Sequence, residues 1–223
     1  MGAWSIASGT LHLVGACTAA ALAVWMLSHR GRLGAIALPV VVALSLSSAW
    51  ALCAAAFGTG SDAASFAETF RNLAWLFFIW RKFGNDGRDD LVKPVRPMVF
   101  ALGFVELVHG ATILILHHRL QEALAHESVF MAGLVMRLFL TIGGLVLVHN
   151  LFVGASPKAR RALRWPAVAL ALQWLFDLNL YTVAYLGVAW PMELAALRGL
   201  VLALATALLI PMLAKGRDNF IAK

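Results

Sequence analysis

The chain has 223 residues, 61% of them hydrophobic and 13% charged, and its mean hydropathy of +0.82 lies far above what a soluble domain exposes to water. That balance makes lipid the main solvent, and unbroken apolar runs such as Ala35 to Phe57 exclude the alternating pattern of a barrel strand. The formal charge of +7 would suit nucleic acid, but the basic residues gather in short links between apolar runs, so it reads as membrane topology and no nucleic-acid partner is expected.

A helix needs roughly 20 mostly apolar residues to cross the hydrocarbon. Seven such segments follow one another: Thr10 to Ser28, Ala35 to Phe57, Phe66 to Phe83, Met98 to His118, Val129 to Phe152, Pro166 to Val188 and Leu194 to Ala214. The fold class is therefore an all-α, polytopic membrane bundle forming a single domain over residues 1–223. The third segment is the most polar, with Glu68 and Arg71 near its start, and would cross only with local thinning or snorkelling ends. No basic residue precedes the first apolar run, so a cleaved signal peptide is not expected and Met1 is retained.

Cys17 and Cys53 both fall inside segments and read as small apolar fillers rather than a disulfide. Pro39, Pro166, Pro191 and Pro211 lie at or near segment ends, with a mild kink possible only at Pro39. Trp4, Trp80, Trp165 and Trp190 fall near the expected interfaces, where an indole is favoured.

Lys and Arg accumulate in cytoplasmic links. The links after the first, third, fifth and seventh segments hold 14 of the 18 basic residues, including Arg30, Arg81, Arg96, Arg160 and Arg161. The opposite links carry Asp62, Glu122, Glu127 and Glu193 with only Arg119 as a basic residue. The N-terminus is thus expected outside and the C-terminus inside. Internal repeats and broken helices of the kind that build transporters are weak.

Ionisable groups at membrane depth are costly, so each needs a partner or a function. Arg71, Arg137 and Arg198 lie several residues in from the outer face, and Glu68, Glu106, His109 and Asp177 are placed to meet them. Gln173, Asp177, Tyr181 and Tyr185 recur every fourth residue and form a stripe expected to face inward. Arg71, Glu106, His109, Arg137, Asp177, Tyr181 and Arg198 are the candidate site, read either as a pocket for an anionic lipid or glycan carrier or as structural ion pairs. A proton path through Glu106, His109 and Asp177 lacks a continuous chain across the bilayer.

Catalytic and metal patterns are missing from the sequence. His117 and His118 are adjacent and point to different helix faces, His12 and His149 are lone histidines in apolar runs, and no ligand spacing for a metal occurs. There is no P-loop, dinucleotide fingerprint or nucleophile elbow, and His126-Glu127 reads as a loop pair rather than a phosphoacceptor. No cofactor, metal or catalytic residue is expected.

The stretch from Leu145 to Asn219 resembles the membrane sensor region of the PrsK family, the histidine kinases of the PEP-CTERM and exosortase system of Gram-negative bacteria. The resemblance is carried by His149-Asn150-Leu151-Phe152 before a Pro-containing basic link, by Phe176-Asp177-Leu178-Asn179-Leu180-Tyr181, by Ala196-Leu197-Arg198-Gly199 and by the run towards Pro211. Arg71-Asn72-Leu73-Ala74-Trp75-Leu76 is similar to the family's Arg-containing third span, whereas His149 and Asn150 replace an acidic and amide pair. The resemblance implies a sensory input domain in the bacterial inner membrane, with a lipid-linked or glycan ligand, a cytoplasmic kinase module in cis and homodimerisation. It also implies control of exopolysaccharide or exosortase-related genes. Transport of a small solute or proton, and a structural role in an envelope-polysaccharide assembly, are the competing readings.

Overall fold

The computed structural model describes residues 3–33, 37–84, 95–116, 123–155 and 157–221. The links carrying Arg88, Lys93, Arg119 and Glu122, the adjacent His117 and His118, and Met1 and Lys223 lie outside the described residues. The described chain is helical: α1 Ala3–Ser28, a short α2 Arg30–Leu33, α3 Ala37–Phe57, α4 Asp62–Gly84, α5 Val95–Leu116, α6 Ala123–Gly154, α7 Pro157–Gly187 and α8 Met192–Ile221.

Each long helix packs on the next in sequence, and α8 returns to pack on α1, so the seven long helices close a ring. Six of them are long and apolar enough to cross a membrane, which makes the chain a multi-pass membrane protein in character. The outer surface is correspondingly greasy: Phe104, Phe139, Leu175 and Leu186 are all exposed.

The exception by hydropathy is α4, whose charges nevertheless point inward. Glu68, Arg71 and Asn72 are buried, while Phe70, Phe77 and Trp80 occupy the exposed face. The helix is as apolar outside as its neighbours, and averaging over all its residues hides this.

Several segment ends differ from those expected. Helix α1 begins before Thr10, and α7 starts at Pro157, so the basic link including Arg160 and Arg161 forms its first turns and Pro166 lies inside the helix. Arg160 caps the end of α6, donating from Nε to the Phe152 carbonyl at 3.2 Å and from Nη2 to the Val153 carbonyl at 2.9 Å. Pro39 sits in the first turn of α3, where its missing N–H breaks no hydrogen bond of the helix.

Two short links join helices at one end of the bundle. Ser61 caps α4, its hydroxyl accepting from the Ala64 amide at 3.2 Å, with Asp62 in the first turn beside the helix dipole. The α7 terminus closes when the Ala189 amide donates to the Ala184 carbonyl at 3.3 Å, which puts Val188 at φ 49, a left-handed position that usually holds glycine. At the other end of the bundle the interior is a dense apolar plug of Leu44, Ile79, Leu102, Leu147 and Leu170.

Ring closure depends on a backbone contact between α1 and α8. A Cβ on Gly199 would lie 2.4 Å from the backbone of Leu11 and His12, and one on Gly15 would lie 2.5 Å from the Gly199 carbonyl oxygen. Small residues permit this approach, as is usual where helices associate in lipid. Gly199→Ala is therefore expected to force α8 away from α1 and lower stability by about 1–3 kcal/mol, the usual cost of overpacking. Thermal unfolding in nanodiscs checks this; an unchanged midpoint would contradict the contact.

Candidate functional site

The sequence candidates converge. Arg71, Glu106, His109, Arg137, Asp177, Tyr181 and Arg198 are all buried and, with Glu68, form one polar cluster contributed by α4, α5, α6, α7 and α8. Arg71 lies nine residues past Asp62 and Arg198 six past Met192, which places the cluster roughly 9–14 Å inside the end bearing the Ser61 and Val188 links.

Glu68 is the hub. Its Oε1 accepts from Arg71 Nη2 at 3.1 Å and closely from Tyr181 Oη and Arg198 Nη2, and its Oε2 accepts from Arg198 Nη1 at 3.1 Å. Arg137 Nη1 stands 3.3 Å from the same carboxylate. Asp177 bridges two of the arginines, accepting from Arg71 Nη2 and from Arg198 Nε, each at 2.8 Å. Asn72 accepts from Arg71 Nη2 at 3.1 Å and donates to Glu106 at 3.3 Å, which joins Glu106 to the cluster. Three guanidiniums thus face three carboxylates, the formal balance that membrane burial demands.

Beneath this layer lies Trp50. Its ring supports Arg71 at 4.4 Å and Arg198 at 4.6 Å, so two cations rest on one indole. His12 packs edge-on against that indole at 5.5 Å and is anchored through Nδ1 to the Ser8 carbonyl at 2.8 Å.

Other sequence expectations fail at particular residues. Tyr185 is 39% exposed although Gln173, Asp177 and Tyr181 are buried. An every-fourth-residue stripe drifts by about 40° per step, so its fourth member has rotated about 120° from Gln173 and about 80° from Asp177, the middle of the three buried members. Cys17 is exposed on α1 rather than packed as a filler, and Cys53 is half-buried. His149 is exposed. Trp190 is more than an interfacial anchor: its Nε1 donates to Thr59 at 3.0 Å, clasping the two links.

Sequence reasoning missed Trp50, Asn72 and Gly133. The available signal was an indole and an amide at mid-span, where each polar N–H must find a partner. Trp75 obeys the same rule through its donation to Ser47 at 3.2 Å.

A cavity of about 240 Å³ extends from the links to the cluster. Gly60, Asp62 and Trp190 lie at its mouth, Ile113, Val129, Phe130 and Leu134 form apolar walls, and Glu68, His109, Arg137 and Tyr181 form the floor. Arg137 is pinned from two sides, donating from Nε to His109 Nε2 at 3.1 Å and from Nη2 to the Ser65 carbonyl at 2.7 Å. Its Nη1 and the His109 Nδ1 are buried without a hydrogen bond.

Comparison with family models, with curated proteins and with solved structures yields no match to this chain. The chemistry available to the site is that of recognition: fixed donors and ion pairs behind an apolar vestibule.

Glu68→Gln leaves three buried guanidiniums against two carboxylates and is expected to cost about 3–5 kcal/mol, abolishing or sharply reducing folded yield. Glu106→Gln leaves the same charge imbalance but loses only the pair with Arg137 at 3.9 Å, and its amide oxygen can still accept from Asn72, so it is expected to cost clearly less. Folded yield and thermal midpoint of the two variants check the ranking, and equal effects would contradict Glu68 as hub.

Proposed function

We propose that this chain is the membrane-embedded sensory input domain of a two-component sensor histidine kinase, linked to exopolysaccharide and PEP-CTERM/exosortase regulation. The observation that carries the reading is a pocket that ends blindly. It leads from one face of the bundle to a closed ion-pair cluster, and behind that cluster lies the apolar plug. Among the described residues the long helices run unbroken past the cluster, whereas transporters commonly break their helices at the site, which weighs against transport.

In this reading α4 is a seventh span, because its lipid-facing side is aromatic and its charges are neutralised within the ring. The end bearing Arg30, Arg81, Arg96 and Arg160 faces the cytoplasm of an inner membrane, and the pocket mouth faces outward. The resemblance of Leu145 to Asn219 to PrsK-type sensor regions supplies the kinase, which follows in cis on the cytoplasmic side. Homodimerisation belongs to the same reading.

Signal would pass along α8, which holds Arg198 in the cluster and continues as helix through Pro211 to Ile221. A ligand drives output only by favouring one of two helix arrangements, so the cluster's contacts must differ between them. Tyr181→Phe removes one hydroxyl between Glu68 and Arg198 while keeping the ring.

The test is made on the full-length gene product. Translation beyond Lys223 is expected to give a cytoplasmic kinase, and Tyr181→Phe to change its autophosphorylation about fivefold, the population shift that about 1 kcal/mol produces, at normal membrane abundance. A product without a kinase module, or a kinase indifferent to Tyr181→Phe, would contradict the reading.

A further inference from the structure

We infer that the pocket between the Ser61 and Trp190 links and the Arg137–His109 floor binds the polar end of an uncharged amphiphile through a carbonyl or hydroxyl oxygen. The inference deepens the input-domain reading by naming the ligand chemistry, and rests on it for the pocket's role.

The argument starts from one hydrogen bond. An arginine can only donate, and Arg137 Nε points at His109 Nε2 at 3.1 Å, so that nitrogen carries no proton. The proton of the neutral imidazole is therefore on Nδ1, which makes Nδ1 a donor. That donor is buried and has no partner. The space beside it exists because residue 133 is glycine: a Cβ there would lie 3.0 Å from His109 Cε1 and 3.5 Å from Nδ1. Gly133 and His109 both line the cavity.

A second donor lies alongside. Arg137 Nη1 is within ion-pair distance of Glu68 and Glu106, at 3.3 and 3.9 Å, but completes a hydrogen bond to neither. Buried donors without acceptors are costly, and a ligand oxygen relieves the donor it reaches.

Charge selects the kind of oxygen. The three arginines of the cluster are already matched by Glu68, Glu106 and Asp177, and the described mouth presents Asp62 rather than a basic residue. An incoming carboxylate or phosphate would add an unmatched negative charge beside Glu68, whereas a carbonyl or hydroxyl adds none. The walls of Ile113, Val129, Phe130 and Leu134 suit the apolar body behind that oxygen. A volume of about 240 Å³ gives room for a glyceride-sized end.

The chemistry is shared by a membrane monoglyceride and by a water-soluble glycerol ester, and the test separates them. The full chain in phosphatidylcholine nanodiscs is heated with monoolein, monoacetin, oleate or phosphatidic acid. Monoolein is expected to raise the midpoint by roughly 5–10 °C at saturation. A matching rise with monoacetin assigns a soluble source, and its absence a lipid source. His109→Phe, which keeps a ring but loses the donor, is expected to lose the shift. Should that variant not fold, a brominated monoglyceride must quench tryptophan emission in the parent chain beyond the quenching of lipid-facing tryptophans by an equally brominated phosphatidylcholine, and Trp190→Phe must lose that excess.

No shift with monoolein, an equal or larger shift with oleate or phosphatidic acid, a shift retained in His109→Phe, or quenching unaltered by Trp190→Phe would each overturn the inference. An anion-only result removes the ligand class and leaves the input-domain reading intact. A full-length product without a kinase removes that reading while monoglyceride binding by this chain stands.

Discussion

Three guanidiniums share one carboxylate at the centre of this molecule, and the architecture follows from keeping them neutral. Glu68 touches Arg71, Arg137 and Arg198, which come from its own helix and from two others. In lipid an unmatched charge costs several kcal/mol, so α4, α6 and α8 cannot separate without stranding one. Asp177 and Glu106 complete the balance from α7 and α5, and Trp50 of α3 gives two of the cations an aromatic surface. Six helices are thereby committed to one arrangement.

Apolar packing in lipid offers little to choose one neighbour over another, because lipid tails are as apolar as leucine. Two features of the chain supply the choice. The ion-pair cluster sets which helices meet, and the Gly15–Gly199 approach sets how closely the ring closes. Both lie towards the same end of the bundle, opposite the Leu-rich plug. A polar half that specifies and an apolar half that seals is also the arrangement that a one-sided pocket requires.

Much of this was legible in the residues. The all-helical membrane character follows from composition, and the inward cluster follows from asking where each mid-span charge could find a partner. What escaped had physical causes. Hydropathy averages over a helix and therefore penalises α4, whose polar residues are buried among themselves. Tyr185 left the inward stripe because four residues overshoot a helical turn. The α7 start was displaced because Lys and Arg are good helix formers, so a basic link can be helix as readily as loop. The role of Glu68 as hub and of Trp50 as platform required distances between helices far apart in sequence, which periodicity does not carry.

Neutrality of the cluster is the central claim, and a double-mutant cycle on Asp177 and Arg198 tests it most directly. Asp177→Asn leaves one excess positive charge, Arg198→Gln one excess negative charge, and the pair together leaves Arg71 and Arg137 matched by Glu68 and Glu106. Thermal unfolding of the four proteins in nanodiscs is predicted to show each single variant less stable than the double, with a coupling of about 1–3 kcal/mol. Additive losses, with the double variant the least stable of the four, would contradict the account.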